Sequence, residues 1–196
     1  MANCFLQAIN NGHNPFPTPD GSPAPQTGLP TGYLYEMETF EEVLEAYKKQ
    51  TEFFVKWHVS CTNNFEYLAR NIIPLPVVSA TMEGCMEKGA DVMWGGAKYN
   101  STGMSGVGVG NVIDSLAMIR HLCFETKKVT TRELYDALKA NWVGYEDLQR
   151  YIKNEAPHYG NGITEVDELA TWVGKIFADA CNSHTGPRGR FSAGMY

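Results

Sequence analysis

Five cysteines, five histidines and a dense run of glycines are the residues here whose types and spacing invite chemistry. The cysteines, Cys4, Cys61, Cys85, Cys123 and Cys181, are odd in number and far apart, with no Cys-x-x-Cys among them. That spells neither a zinc knuckle nor a disulfide framework and fits a reducing cytosol. His121-x-Cys123 and Cys181-x-x-His184 each supply one loose pair, short of the three or four ligands that zinc takes, so no metal site is expected. His58 falls inside a long helical pattern and is expected to be a satisfied structural histidine. Asp114 stands among apolar neighbours and is expected to cap or pair locally. Gly106, Gly108 and Gly110 precede a helix, where phosphate binds readily. The dinucleotide fingerprint Gly-x-Gly-x-x-Gly nevertheless fails, because its last position is Asn111 in one register and Ile113 in the other. The run therefore reads as close backbone packing. Gly103-Met104-Ser105-Gly106 is not a nucleophile elbow, which needs Gly-x-Ser-x-Gly.

The elements that would position these residues are mostly helices. A short helix is expected over residues 3–11, with Phe5, Leu6 and Ile9 on one face. Residues 12–32 hold Pro15, Pro17, Pro19, Pro23, Pro25 and Pro30 and must form an extended loop. Thr39 with Glu42 makes a capping box for the longest helix, in which Phe40, Val43, Leu44, Tyr47, Phe54, Val55, Cys61, Phe65, Leu68 and Ile72 recur at helical spacing. Pro74 and Pro76 end it, and residues 76–79 read as a short strand. Residues 80–88 give one or two helical turns closed by Gly89. Asn111 is expected to cap a helix carrying Val112, Leu116, Ile119 and Cys123. Thr130 with Glu133 forms a second capping box, residues 145–156 a further helix stopped by Pro157, and Thr164 opens an amphipathic helix with Val166, Leu169, Val173, Ile176 and Phe177 on one side. Two or three short strands complete an α/β, predominantly helical chain.

With 43% hydrophobic and 19% charged residues among 196, and a net charge of −6, the composition is that of a globular protein. It argues against nucleic-acid or anionic-membrane binding, which calls for clustered Lys and Arg. No apolar run approaches the roughly 20 residues of a membrane helix, and no signal-peptide pattern is visible.

One stretch is more specific than the rest. It runs Pro74-Leu-Pro-Val-Val-Ser-Ala-Thr-Met-Glu-Gly-Cys-Met-Glu-Lys-Gly-Ala-Asp91, then Gly95-Gly-Ala-Lys-Tyr-Asn100, then Gly106-Val-Gly-Val-Gly-Asn-Val-Ile-Asp-Ser-Leu-Ala117. With Asn10-Asn-Gly12, Pro157-His-Tyr-Gly-Asn161 and Pro187-Arg-Gly-Arg-Phe191, it resembles the pyruvate formate-lyase-like glycyl radical enzymes, on the branch of dehydratases, decarboxylases and C–N or C–S lyases. The resemblance covers nearly the whole chain. It implies a partial segment of a ten-stranded α/β barrel, so that residues 1–196 form a single incomplete domain lying between the loop with the radical cysteine, just before Met1, and the loop with the radical glycine, well beyond Tyr196.

The resemblance further implies anaerobic radical elimination or C–X or C–C cleavage of a small organic substrate by the longer protein. A glycyl radical is installed there by a separate radical S-adenosylmethionine activase, and a cytoplasmic homodimer is expected. This chain is expected to hold no catalytic residue, no metal and no cofactor of its own. Gly84-Cys85-Met-Glu87 imitates the radical-cysteine motif, and the segment around Gly194 echoes the glycyl loop, but both have neighbours that place them elsewhere in the family pattern. Tyr99, Asn100 and Ser101 are the candidate substrate-binding residues. Choline, glycerol or propanediol, hydroxyproline, isethionate and arylacetates all stay open as substrates. Two rival readings are a non-catalytic helical interaction module using the loop at 12–32 as its docking surface, and an active enzyme built on Cys85.

Overall fold

A computed structural model describes residues 1–16, 18–22 and 24–196; Pro17 and Pro23, two of the prolines assigned to the long loop, lie outside the described residues. Thr39 accepts from the Glu42 N–H, and Glu42 returns a carboxylate to the Thr39 N–H. This reciprocal cap opens α2 (Phe40–Ile72), 33 residues and about 50 Å long at 1.5 Å per residue. Before it come α1 (Ala2–Ala8) and a 3-10 turn (Leu34–Glu36). After it come α3 (Pro76–Thr81), α4 (Cys85–Lys88), β1 (Thr102–Gly106), α5 (Val109–Ile119), a π-helical turn (Arg120–Glu125), α6 (Thr131–Lys139), α7 (Glu146–Glu155), α8 (Thr164–Asn182), β2 (Thr185–Gly186) and β3 (Gly189–Met195).

The sheet has the order β1-β3-β2. β1 and β3 are parallel, in register from Thr102↔Phe191 to Gly106↔Met195, and β2 turns back antiparallel onto the start of β3. Parallel neighbours need a long crossover. Here α5 to α8 supply it, and α5 packs on α8 while α8 packs on both α2 and β3. The main core lies among the helices, with Leu34, Val43, Tyr47, Leu116, Leu122, Leu134 and Val173 fully buried. A smaller one joins the sheet to α2 and α8 through Val55, Val59, Met104, Phe177, Cys181 and Phe191.

Several expectations change. Residues 76–79 are helical, not extended: Pro76 takes the first helical position, where its missing N–H costs nothing, and Asp91 Oδ2 accepts from the Leu75 N–H. Gly108, in the left-handed region, caps α5 in place of Asn111, which is exposed. His58 is exposed on α2 and is no core histidine. Residues 27–31 of the proline-rich loop are held to the chain's own helices by two buried glutamines: Gln50 donates to Leu29 O and the Thr31 hydroxyl and accepts from the Leu29 N–H, and Gln7 accepts from the Thr27 hydroxyl.

The largest departure is along α2. Its N-terminal half buries the expected apolar face. In its C-terminal half Val59, Glu66 and Ala69 turn inward, while Trp57, Cys61, Phe65, Leu68 and Ile72 form an exposed stripe that continues into Ile73 and Val77. Contiguous apolar surface of this kind drives association. Leu68→Gln combined with Ile72→Gln should therefore shift the isolated chain toward monomer in sedimentation velocity. The thermal midpoint should hardly move, since exposed substitutions stay within about 0.5 kcal/mol. An unchanged sedimentation profile would show that the stripe makes no contact in solution.

Candidate functional site

The glycine-rich stretch becomes a turn, a strand and a helix start. Its organiser is Asp91, which sequence reasoning passed over. Oδ1 accepts from the Met93 N–H, and Oδ2 accepts from the Leu75 N–H and the Ser79 hydroxyl. The Met93 N–H, then the Ser79 hydroxyl and the Leu75 N–H, hold this carboxyl below its ordinary value of 3.8. Gly96 then lies so close to the Ala90 carbonyl that a Cβ would sit 2.0 Å from its oxygen. Only glycine fits there, and the turn at 95–100 folds tightly as a result.

The three candidate substrate residues follow. Tyr99 is 84% exposed, with the Lys98 ammonium 5.6 Å from its ring centre. Asn100 folds its amide back to donate to the Gly95 and Ala97 carbonyls, so it shapes the turn. Ser101 is exposed at the N-terminal mouth of β1. The structure thus brings Tyr99, Asn100 and Ser101 together at one end of the strand, while Ala2 meets the other end through a hydrogen bond from its N–H to Val107 O. Five strand residues separate the two ends, about 17 Å.

Along β1, Thr102, Met104 and Gly106 are buried and Gly103 and Ser105 are open. Their register partners on β3 are Ser192 and Gly194. One face of the parallel pair is therefore covered by helices. The other presents Gly103, Ser105, Ser192 and Gly194, a small polar surface with accessible backbone. This surface was missed in the sequence. The alternation in Thr102-Gly-Met-Ser-Gly106 was its signal, but the glycines mask β propensity and the partner strand lies more than 80 residues on.

The mouth is fastened by a buried carboxylate. Glu66 on α2, 3% exposed, accepts at Oε1 from the Thr102 hydroxyl at 2.7 Å and from Arg188 Nε and Nη2 at 2.9 and 2.8 Å. Thr102 opens β1, and Arg188 lies in the turn between β2 and β3.

The other sequence-marked residues have structural work, and Asp114 does it with a distant partner instead of the local one expected. Asp114 accepts from the Tyr159 N–H at 2.7 Å and faces His158 Nδ1 at 3.4 Å, tying α5 to the turn 45 residues downstream. His121 faces Glu125 and the Tyr151 hydroxyl. Gly106 needs no nucleotide to explain it, since a Cβ there would lie 2.7 Å from Met1 Sδ and from the Phe177 ring. Cys85 is buried, and Glu87 of the same motif spends its carboxylate on the Gly84 N–H. Gly194 sits in β3 opposite Ser105 and not in a loop. Burial pushes Cys181 up to about 11, and burial with the nearby Glu133 charge does the same to Cys123. Among the described residues no group of three His, Cys, Asp or Glu side chains converges as a metal site, and no helix is long and apolar enough to cross a membrane.

A parallel strand pair backed by helices on one side, with a small-residue open face on the other, is an α/β arrangement. The family model described as pyruvate formate lyase-like matches residues 1–196, and the chain belongs to that family. The trans-4-hydroxy-L-proline dehydratase of Clostridioides difficile is 34% identical over 178 residues, 91% of this chain and 21% of the relative. Among solved structures, the glycerol-bound B12-independent glycerol dehydratase from Clostridium butyricum superposes with a TM-score of 0.86 at 33% identity, over 99% of this chain and 23% of that one. A glycyl radical enzyme from Archaeoglobus fulgidus gives 0.85 at 31%, over 98% and 24%. The chain spans about a fifth of the length of the curated relatives it matches.

Two predictions follow from this geometry. Asp91 has a depressed folded pKa, so its charge stabilises the chain above the ordinary value of 3.8, and that stabilisation is lost as pH falls through the lower folded value. Asp91→Asn should melt below wild type at neutral pH, with the gap closing in acid; a gap constant across the titration would refute a role for the charge. The thiols should separate under iodoacetamide at neutral pH followed by peptide mass spectrometry. Exposed Cys61 should react first, with Cys85, Cys123 and Cys181 protected. Labelling of Cys85 at the rate of Cys61 would restore it as an accessible thiol.

Proposed function

We propose that this chain works as one segment of a glycyl radical enzyme that eliminates or cleaves a C–X or C–C bond of a small organic substrate, and that taken alone it does not turn substrate over. The observation carrying this reading is the superposition of nearly the entire chain, at about a third identity, on less than a quarter of each dehydratase or radical enzyme. The two local imitations of radical motifs support it from inside the chain: one thiol is closed off and the matching glycine is committed to a strand. The thiyl and glycyl partners are then supplied by other polypeptide, in a cytoplasmic homodimer activated by a separate radical S-adenosylmethionine enzyme.

In this reading the open face of β1 and β3 lines the reaction chamber. Ser101 and Tyr99 offer hydroxyls to substrate at the strand mouth, and Asn100 holds their turn. The names of the relatives point to hydroxylated substrates, a hydroxyproline and glycerol among them. A hydroxyl-bearing compound is accordingly the first class to test. The glutamine clamps on residues 27–31 favour this reading over a free docking loop, because that part of the loop already has partners within the chain.

The test is anaerobic activation with a radical S-adenosylmethionine activase, followed by electron paramagnetic resonance and product analysis. The longer protein should develop a carbon-centred spin and dehydrate or cleave its substrate, and the 196-residue chain should do neither. Spin and product from the isolated chain, with the product abolished by Cys85→Ala, would overturn the proposal in favour of an enzyme built on Cys85.

A further inference from the structure

Glu66 is an odd residue to find where it is. It sits in the second half of α2, on the buried side, in a helix whose opposite side is apolar and exposed. Only one of its oxygens is used. Oε1 takes three donors, while Oε2 is buried without a partner among the described residues, as are Asn63 Oδ1 one turn before it and Arg70 Nε one turn after it. A half-satisfied buried carboxylate is a poor stabilising device, because desolvation consumes most of what its ion pair returns. Its value is directional: hydrogen bonds to a charged acceptor fix donors in place where apolar contact lets them slide.

What Glu66 fixes is the strand mouth. Thr102 is the first residue of β1, and Ser101 precedes it. Arg188 lies in the turn that leads into β3, and that turn is the seat of the candidate substrate turn: Asn100 O approaches Gly189, and the Arg188 Cα approaches Gly95, each within 4 Å of where a Cβ would stand. The Arg188 guanidinium is the bidentate partner, giving Nε and Nη2 to one oxygen. Both parallel strands and the 95–101 turn are therefore referenced to a single atom on α2. Asn63, close against Gly186, presses the same β2–β3 turn from the preceding helical turn.

We propose that Glu66 is a positioning residue for the reaction of the longer enzyme, acting through Arg188 and Thr102 to hold Ser101 and the open faces of β1 and β3 in the substrate-facing geometry. The kinetic part of this inference rests on the reading given under Proposed function; the positional part does not.

The experiment separates the two. Hydrogen–deuterium exchange of the longer protein is compared for wild type, Glu66→Gln, Arg188→Lys and, as a control for general loosening in the other core, Leu134→Ala. Glu66→Gln keeps the side-chain volume and removes the charge; Arg188→Lys keeps the charge and removes the fork. Both should raise exchange at least about tenfold at 98–106 and 187–193 while leaving α5, α6 and α8 unchanged. Unaltered exchange in those segments, or a uniform rise matching Leu134→Ala, would overturn the proposal. In the longer enzyme, Glu66→Gln should lower kcat/KM by about tenfold or more with the spin content per protomer unchanged. Ser101→Ala added to it should cost little further, since both act on one contact. Fully additive losses would show that Glu66 does not act through Ser101 and would overturn the kinetic part. A wild-type enzyme with no radical-dependent turnover would instead defeat the functional reading and the kinetic part with it, leaving exchange to decide the positional claim.

Discussion

Two parallel strands can be neighbours only if the chain between them leaves the sheet, crosses over and returns in the same direction, and everything after Gly106 in this molecule is shaped by that requirement. β1 ends at Gly106 and β3 begins at Gly189. Between them four helices and a π-helical turn bury their apolar faces against one another and against α2, and α8 delivers the chain back to the sheet through β2. The pairing also fixes which side chains face out. Thr102 and Phe191 share the covered side, so Gly103, Ser105, Ser192 and Gly194 must share the other.

Hydrophobic burial holds the helices together, but it does not set the geometry of the irregular segments. That falls to a few buried or half-buried polar side chains, most of them collecting two or more partners. Gln50 and Gln7 anchor the proline-rich loop, Asp91 collects the Leu75, Ser79 and Met93 donors, Asp114 closes the turn at Tyr159, and Glu66 gathers the starts of both strands. Irregular backbone has its own donors and acceptors to satisfy, and without a ladder or a helix it must find them in side chains. The glycine-rich stretch is where this matters most, because close backbone approach leaves no room for side chains to share the work.

The surface reads as that of a piece within a larger body. The outer edge of β1 carries no neighbour among the described residues, and the apolar stripe from Trp57 to Val77 faces solvent. Both features agree with the comparisons, in which this chain covers about a fifth of each relative. Open sheet edges and apolar helix faces invite pairing with further polypeptide, and among the described residues neither is covered.

The sequence by itself determined most of the helices, and where α2 and α6 start. Capping boxes at Thr39 and Thr130, and the periodic apolar faces of α5, α6 and α8, are local properties, written within four residues of where they act. It also determined the family, because ordered motifs survive in the text of the chain. Tertiary structure decided what depended on distant partners. Residues 76–79 became helix because Asp91 caps them at the Leu75 N–H from 16 residues away, and the second half of α2 turned Glu66 inward and Leu68 outward because Arg188 and Thr102 wait on one side and nothing among the described residues covers the other. Periodicity states that a helix has two faces; which one is buried is settled by the elements that arrive later in the chain.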